Sequence, residues 1–326
     1  MKRRWRALLA ILCGCATLWL AASGWAKAAP TVTYNSCNGF EEEGMPVASI
    51  VMGEELGRWG PGRSGGLILS GEASPFRWFG YSLTAGNASY VRLVAPLQEE
   101  GQRVERRLVG HRLEYRPCPW LVVAVSETAV GSGDLSAIMY WPFPGFPLYG
   151  LQKAAYQADS KQDSLINVQL GADFRVSVGR AELWGEFLID DAQATLEEKA
   201  KVPDMIAYLV GAGVSGLGPE GKLSVRGEYV RIANFVYSHR NPDSAYILDG
   251  KPLGHSLGPD ADMFELAAEY ALGPGGPTIE AAASVQRHGE GELAKPWAEH
   301  KPPPGKFPSG EVELVFTASL GVRMDI

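Results

Sequence analysis

From about residue 167 to the end of the chain, apolar and polar side chains alternate in stretches of eight or more residues. A strand with lipid on one side and a polar interior on the other has to be written this way, because successive side chains point to opposite faces. The last stretch is the clearest. Val312, Leu314, Phe316, Ala318, Leu320, Val322, Met324 and Ile326 share one face, while Glu311, Glu313, Thr317, Ser319, Arg323 and Asp325 share the other. Val315 is the large apolar exception. Further back, Ala181, Leu183, Gly185, Phe187 and Ile189 oppose Arg180, Glu182, Trp184 and Glu186. Leu223, Val225, Gly227 and Tyr229 likewise oppose Lys222, Ser224, Arg226 and Glu228, and Phe264, Leu266, Ala268, Tyr270 and Leu272 oppose Glu265 and Glu269. Strands of about ten residues with period two, bounded by glycine and proline turns, read as an all-β, antiparallel transmembrane β-barrel of about 12–14 strands. A soluble antiparallel sandwich alternates too, so the pattern by itself leaves that reading open.

The start of the chain bears on the choice. Lys2, Arg3, Arg4 and Arg6 precede an apolar run over residues 7–22, and Ala26-Lys27-Ala28 supplies a small-x-small cleavage pattern. Residues 1–28 therefore read as a signal peptide, 29–46 as an irregular lead-in and 47–326 as the barrel. No later segment is apolar enough for a transmembrane helix. Residues 1–28 hold five basic and no acidic side chains, so the formal charge moves from −7 for the whole chain to −12 without them. Such an acidic product is unsuited to nucleic acid. Cys37 and Cys118 are the thiols beyond the signal; they would either pair in an oxidising compartment or stay free.

Turn chemistry divides the rest. Residues 216–221 (GLGPEG) and 271–277 (ALGPGGP) are short turns between candidate strands. Three connections are much longer, at about residues 131–163, 237–262 and 289–310. Short turns at one end and long loops at the other is the arrangement of an outer-membrane barrel. Candidate strands lie near residues 47–56, 65–70, 76–85, 88–97, 105–116, 119–127, 166–177, 180–190, 206–215, 222–233, 263–272, 278–287 and 311–326. The mixed charges on the polar faces would lace the interior with ion pairs and favour a narrow or closed channel over a wide pore.

Several segments resemble the Wzi-type capsule assembly family. They are RWGPGRSGGLILS at 58–70, HRLEY at 111–115, GEFLIDD at 185–191, EYVR at 228–231 with YSH at 237–239, and GHSLGPDAD at 254–262. The resemblance runs from about residue 50 to the C-terminus. It implies a monomeric barrel in the cell outer membrane that binds capsular or exopolysaccharide and supports capsule assembly or attachment, without being an enzyme. Only residues 29–50 stand where the family has further strands and a helical part, so the barrel is either a reduced one or lacks its front, and its closure is left open.

Candidate sites follow from chemistry. Residues 60–66 (GPGRSGG) lack the Gly-Lys-Ser/Thr ending of a phosphate loop and read as a tight glycine turn between strands. Glu186 and Asp190 share a polar face about 13 Å apart on a straight strand, too far for a glycosidase pair. His239, His255, Asp260 and Asp262 form the densest set of metal-type donors; loop-organising hydrogen bonds explain the same residues. The stretch YWPFPGFPLY at 140–149 offers Trp141, Phe143, Phe146 and Tyr149 as flat faces for sugar rings. An aromatic girdle would use the same residue types. Nothing in the sequence asks for a cofactor. Expected partners are surface polysaccharide and outer-membrane lipid. The competing functional readings are a saccharide or small-solute channel and, behind it, a secreted glycoside hydrolase.

Overall fold

The computed structural model describes residues 47–54, 57–97, 104–133, 148, 165–191, 203–218, 220–273, 276–297 and 305–324. All belong to the compact unit Val32–Ile326. The targeting segment, the lead-in and Cys37 lie outside the described residues; Cys118 is a free thiol.

Among the described residues, twelve antiparallel strands form one sheet. They are β1 (Val47–Gly53), β2 (Trp78–Ala85), β3 (Ala88–Pro96), β4 (Arg106–Cys118), β5 (Leu121–Ser132) and β6 (Ile166–Val178). The second half has β7 (Ala181–Asp191), β8 (Met205–Leu217), β9 (Leu223–Ile232), β12 (Ala261–Ala271), β13 (Thr278–His288) and β14 (Glu313–Arg323). Between β9 and β12 the chain makes a small separate hairpin, β10 (Ile247–Leu248) with β11 (Lys251–Pro252). Each wall strand pairs with its neighbours along the chain, so the sheet is a meander with β1 and β14 at its two ends. No pairing between β1 and β14 is found among the described residues. The wall count falls in the range read from the sequence. Short turns join β2–β3, β4–β5, β6–β7, β8–β9 and β12–β13, and the long connections lie at the opposite end.

The alternation sorts side chains as expected. On β7, Leu183 and Phe187 are exposed on the outer face, while Trp184, Glu186 and Leu188 are buried on the inner one. Register carries these faces from strand to strand. Glu186 lies opposite Asp173 of β6, and Asp173 lies opposite Ala124 of β5. On the other side Arg226 of β9 lies opposite Ala267 of β12.

One expected strand is not part of the wall. Residues 65–70 belong to the segment between β1 and β2, which folds onto the inner face and closes on itself through a single bridge, Trp59 to Leu69. Its apolar residues Leu67, Ile68 and Leu69 are buried because they fill the interior rather than lie on the outer face. The main apolar cluster is built there, from this segment, the inner faces of the wall strands and the loop between β9 and β12. Burying such side chains stabilises by roughly 1.5–3 kcal/mol each.

Candidate functional site

The inner segment is held by carboxyl groups presented from the wall. Glu186 accepts the backbone N–H of Gly62 at 2.7 Å and of Leu67 at 2.8 Å. Glu228 of β9 accepts the N–H of Arg63 at 2.8 Å, the N–H of Ser64 at 2.7 Å and the Ser64 hydroxyl at 2.5 Å. The indole of Trp184 also donates to Glu228, at 2.5 Å. A carboxylate is acceptor-only, so each receives the donors that a non-helical, non-sheet backbone would otherwise bury unpaired. Residues 60–66 are therefore not a tight turn between strands, as the sequence suggests, but an irregular loop whose amides are collected by two side chains more than a hundred residues away.

Two glycines explain why the loop can come so close. At Gly60 φ is +114°, and a Cβ there would lie 2.3 Å from Glu186 Oε1. At Gly171 of β6 a Cβ would lie 2.3 Å from Ile68 Cδ1, so the bare wall makes room for the plug.

The loop between β9 and β12 grips the same segment from above. The Tyr237 hydroxyl donates to Leu67 O at 2.6 Å, and the Tyr246 hydroxyl donates to Ile68 O at 3.0 Å. Burial raises the pKa of both phenols, which keeps them in the donating form. The rings stack at 6.0 Å between centroids. Ser70 N–H donates to Leu253 O. Arg106 of β4 is buried and donates to three carbonyls of that loop, Asp243, Ala245 and Ile247, at 2.7, 2.9 and 2.9 Å. Asp190 at the top of β7 accepts Tyr237 N–H at 2.7 Å. Wall, plug and outer loop thus form one hydrogen-bonded block.

Ser64 Oγ also lies 3.1 Å from His255 Nε2, a Ser–His contact that invites comparison with a nucleophile and its base. The hydrogen bonds run the wrong way. Leu257 N–H donates to His255 Nδ1, so the ring proton sits on Nε2 and points at the serine. The serine proton is given to Glu228. Burial lowers the His255 pKa to about 4, keeping the ring neutral. The histidine holds Ser64 rather than activating it.

The four metal-type donors do not meet. His239 Nδ1 accepts Asn241 N–H at 3.2 Å. His255 is spent as above. Asp260 accepts Gly291 N–H, Ser309 N–H and the Ser309 hydroxyl, stapling the β13–β14 connection to the loop after β9. Asp262 takes the Arg287 guanidinium and the Tyr229 hydroxyl. No group of three metal-binding side chains is found among the described residues, and each of these donors serves a protein hydrogen bond. Trp141, Phe143, Phe146 and Tyr149 lie outside the described residues. Leu148 of that connection is described; its N–H donates to Glu127 at 2.7 Å, and its side chain packs with Val94, Val109, Ala129, Ile166 and Val168 on the outer face.

Toward the turn end, the inner face changes from backbone clamps to side-chain ion pairs. Arg63 pairs with Glu182 at 2.6 Å and lies over the Trp184 ring at 5.4 Å. Arg112 pairs with Asp173 at 2.5 Å, Arg226 with Glu269 at 2.8 Å and Arg323 with Glu280 at 2.7 Å. The segments that carry the family resemblance are the ones the fold brings together here: residues 58–70, Glu186, Asp190, Glu228, Tyr237 and His255. A family model, Capsule assembly protein Wzi, matches residues 48–325. The chain belongs to the Wzi family of capsule assembly proteins. Its wall is also similar to a solved structure described as Wzi, an outer membrane protein involved in group 1 capsule assembly in Escherichia coli and a carbohydrate-binding β-barrel. The TM-score is 0.51 at 17% identity, covering 71% of this chain and 52% of that one. This chain thus spans about half the length of that Wzi, and the likeness is one of fold. No curated protein matches.

The sequence reading missed Glu228, Ser64, Tyr246 and Arg106 as parts of the site. A signal was available for Glu228 and Trp184, since both lie on polar faces that the alternation had already defined.

Proposed function

We propose that this chain is an outer-membrane protein that binds surface polysaccharide at its long-loop end and supports capsule assembly or attachment, acting by binding and not by turnover. Membership of the Wzi family supports the role. The observation that carries the mode of action is the clamp, in which Glu186 and Glu228 hold residues 60–67 across the inner face at mid-strand. An interior filled in this way suits a protein that works at its outer surface, and it disfavours the channel reading. The block of plug and loop makes a rigid base for the loop end, which lowers the ordering cost of gripping a polymer. Trp141, Phe143, Phe146 and Tyr149, in the connection between β5 and β6, are the stacking surfaces we assign to the sugar rings. The protein acts as a monomer in this reading, with many copies engaging one repeating polymer so that weak contacts add through avidity.

The test is polysaccharide retention. In an encapsulated host lacking the gene, the wild-type chain should restore cell-associated polymer. The Trp141→Ala, Phe143→Ala double variant should release most of it into the medium at unchanged protein abundance and heat-modifiable gel mobility. A deletion strain that keeps its capsule contradicts the proposal, and polymer shortened on incubation with the protein moves the assignment to a hydrolase.

A further inference from the structure

Two outward rows are not what a purely lipid-facing wall would carry: Arg92, His111 and Glu127 across β3–β5, where Arg92 and His111 are buried, and a second row that is partly open. Tyr208 of β8, Arg231 of β9, Asp262 of β12 and Arg287 of β13 lie opposite one another in register, on the parity that points outward. The next outward rows toward the turn end are apolar, including Phe264, Leu266, Val285, Phe316, Leu320 and Val322. From the Arg231 row to the Leu223 row is eight residues, about 26 Å along a strand, or about 20 Å of height at the usual barrel tilt. That is close to the apolar band of an outer-membrane barrel, roughly 25 Å tall. Arginine on the lipid face costs roughly 2–4 kcal/mol at the midplane and nearly nothing at the interface. The row therefore marks the outer boundary of the hydrocarbon, where β9 and β13 run into long connections.

Its chemistry is organised for an anion. Arg287 is gripped by Asp262 through Nε at 2.9 Å and Nη2 at 2.5 Å, which leaves Nη1 free of that grip. Tyr229 donates to the same carboxylate at 2.9 Å, fixing it. The Arg287 side chain is 48% exposed. Arg231 is half-buried and makes no salt bridge among the described residues, with Asp262 opposite it in register; its guanidinium lies over the Phe307 ring at 3.8 Å. Lys306, next to Phe307, is exposed. Three cations against one carboxylate, at the height of the headgroups, complement a phosphate.

Resting on the outer-membrane reading above, we infer that Arg231 and Arg287 form a binding site for the phosphate of an outer-leaflet lipid headgroup, with Tyr208, Tyr229 and Phe307 seating the lipid beside it. Such a contact would anchor the wall beneath the loops that hold the polymer.

The full chain, folded in an uncharged detergent, is titrated with bis-phosphorylated lipid A, with the same lipid stripped of its phosphates, and with inorganic phosphate. The phosphorylated lipid should bind, and the dephosphorylated lipid should bind at least tenfold more weakly. Inorganic phosphate should not displace the lipid at equal concentration. Arg231→Gln with Arg287→Gln should weaken phosphorylated lipid at least tenfold, whereas Asp262→Asn, which removes the negative charge, should bind as well as wild type or better. A double variant within twofold of wild type overturns the site, as does equal binding of both lipids or displacement by inorganic phosphate. Wild-type protein that is heat-modifiable yet binds no lipid overturns the site alone. Protein that never acquires heat-modifiable mobility overturns the membrane reading with it.

Discussion

β7 and β14 are written in the same alternating code, yet they sit in different surroundings. On β7 the inner residues Trp184, Glu186 and Leu188 are 1%, 6% and 0% exposed. On β14 every described residue is exposed, inner Thr317 and Ser319 as well as outer Phe316. The alternation dictates which way a side chain points. What buries it is whatever folds over that face, and the segment of residues 58–70 covers β7 and β9 but not β14. Polar character on an inner face therefore has two uses. On β14 it stays exposed among the described residues, with Arg323 paired to Glu280 of β13. On β7 and β9 the same residue type becomes the receptor for another segment's backbone.

Substitutions can sharpen that contrast. Trp184→Ala should have the largest effect of any single truncation, about 3–5 kcal/mol, because it removes a fully buried ring and a donor to Glu228. Phe316→Ala, at 70% exposure on the edge strand, should stay within about 1 kcal/mol. Denaturant unfolding in detergent, followed by heat-modifiable mobility, would measure both. Equal losses would mean that the edge strand is covered after all.

The next effect depends on pH. His255 has its pKa depressed to about 4 in the fold, against 6.5 ordinarily, first because of burial. The unfolded chain then takes up the proton before the folded one. The stabilisation is fully present above pH 6.5 and is lost as pH falls from 6.5 toward 4, on the order of 3 kcal/mol over that window. His255→Gln should flatten this part of the stability profile. A wild-type profile that is already flat there would show that His255 is not held neutral against Ser64.

Much of the wall was legible because each strand reports its own facing. The inner row of β7 and the outer row of β14 follow from parity alone, and the turns at residues 216–221 and 271–277 announce themselves through glycine and proline. The plug was not legible. Residues 65–70 have the apolar run of a strand, and only contacts to Glu186, Tyr237 and Tyr246, all far away in sequence, reveal that they lie across the sheet instead of within it. What each of the metal-type donors holds was not legible for a related reason. Asp260 and Asp262 are two residues apart, which on one continuous strand would put them on the same face, but Asp260 precedes β12 with a φ of +59°; one staples two loops and the other meets Arg287 on the outer wall.

Conductance in planar bilayers tests the clamp directly. Wild-type protein should show no stepwise conductance. Glu186→Ala with Glu228→Ala strips the acceptors from four backbone N–H groups of the plug, each costing about 1–3 kcal/mol when left buried and unpaired. The plug should then come away, and conductance steps should appear while heat-modifiable mobility persists. Wild-type steps as large as those of the double variant would contradict a plugged interior and return the protein to the channels.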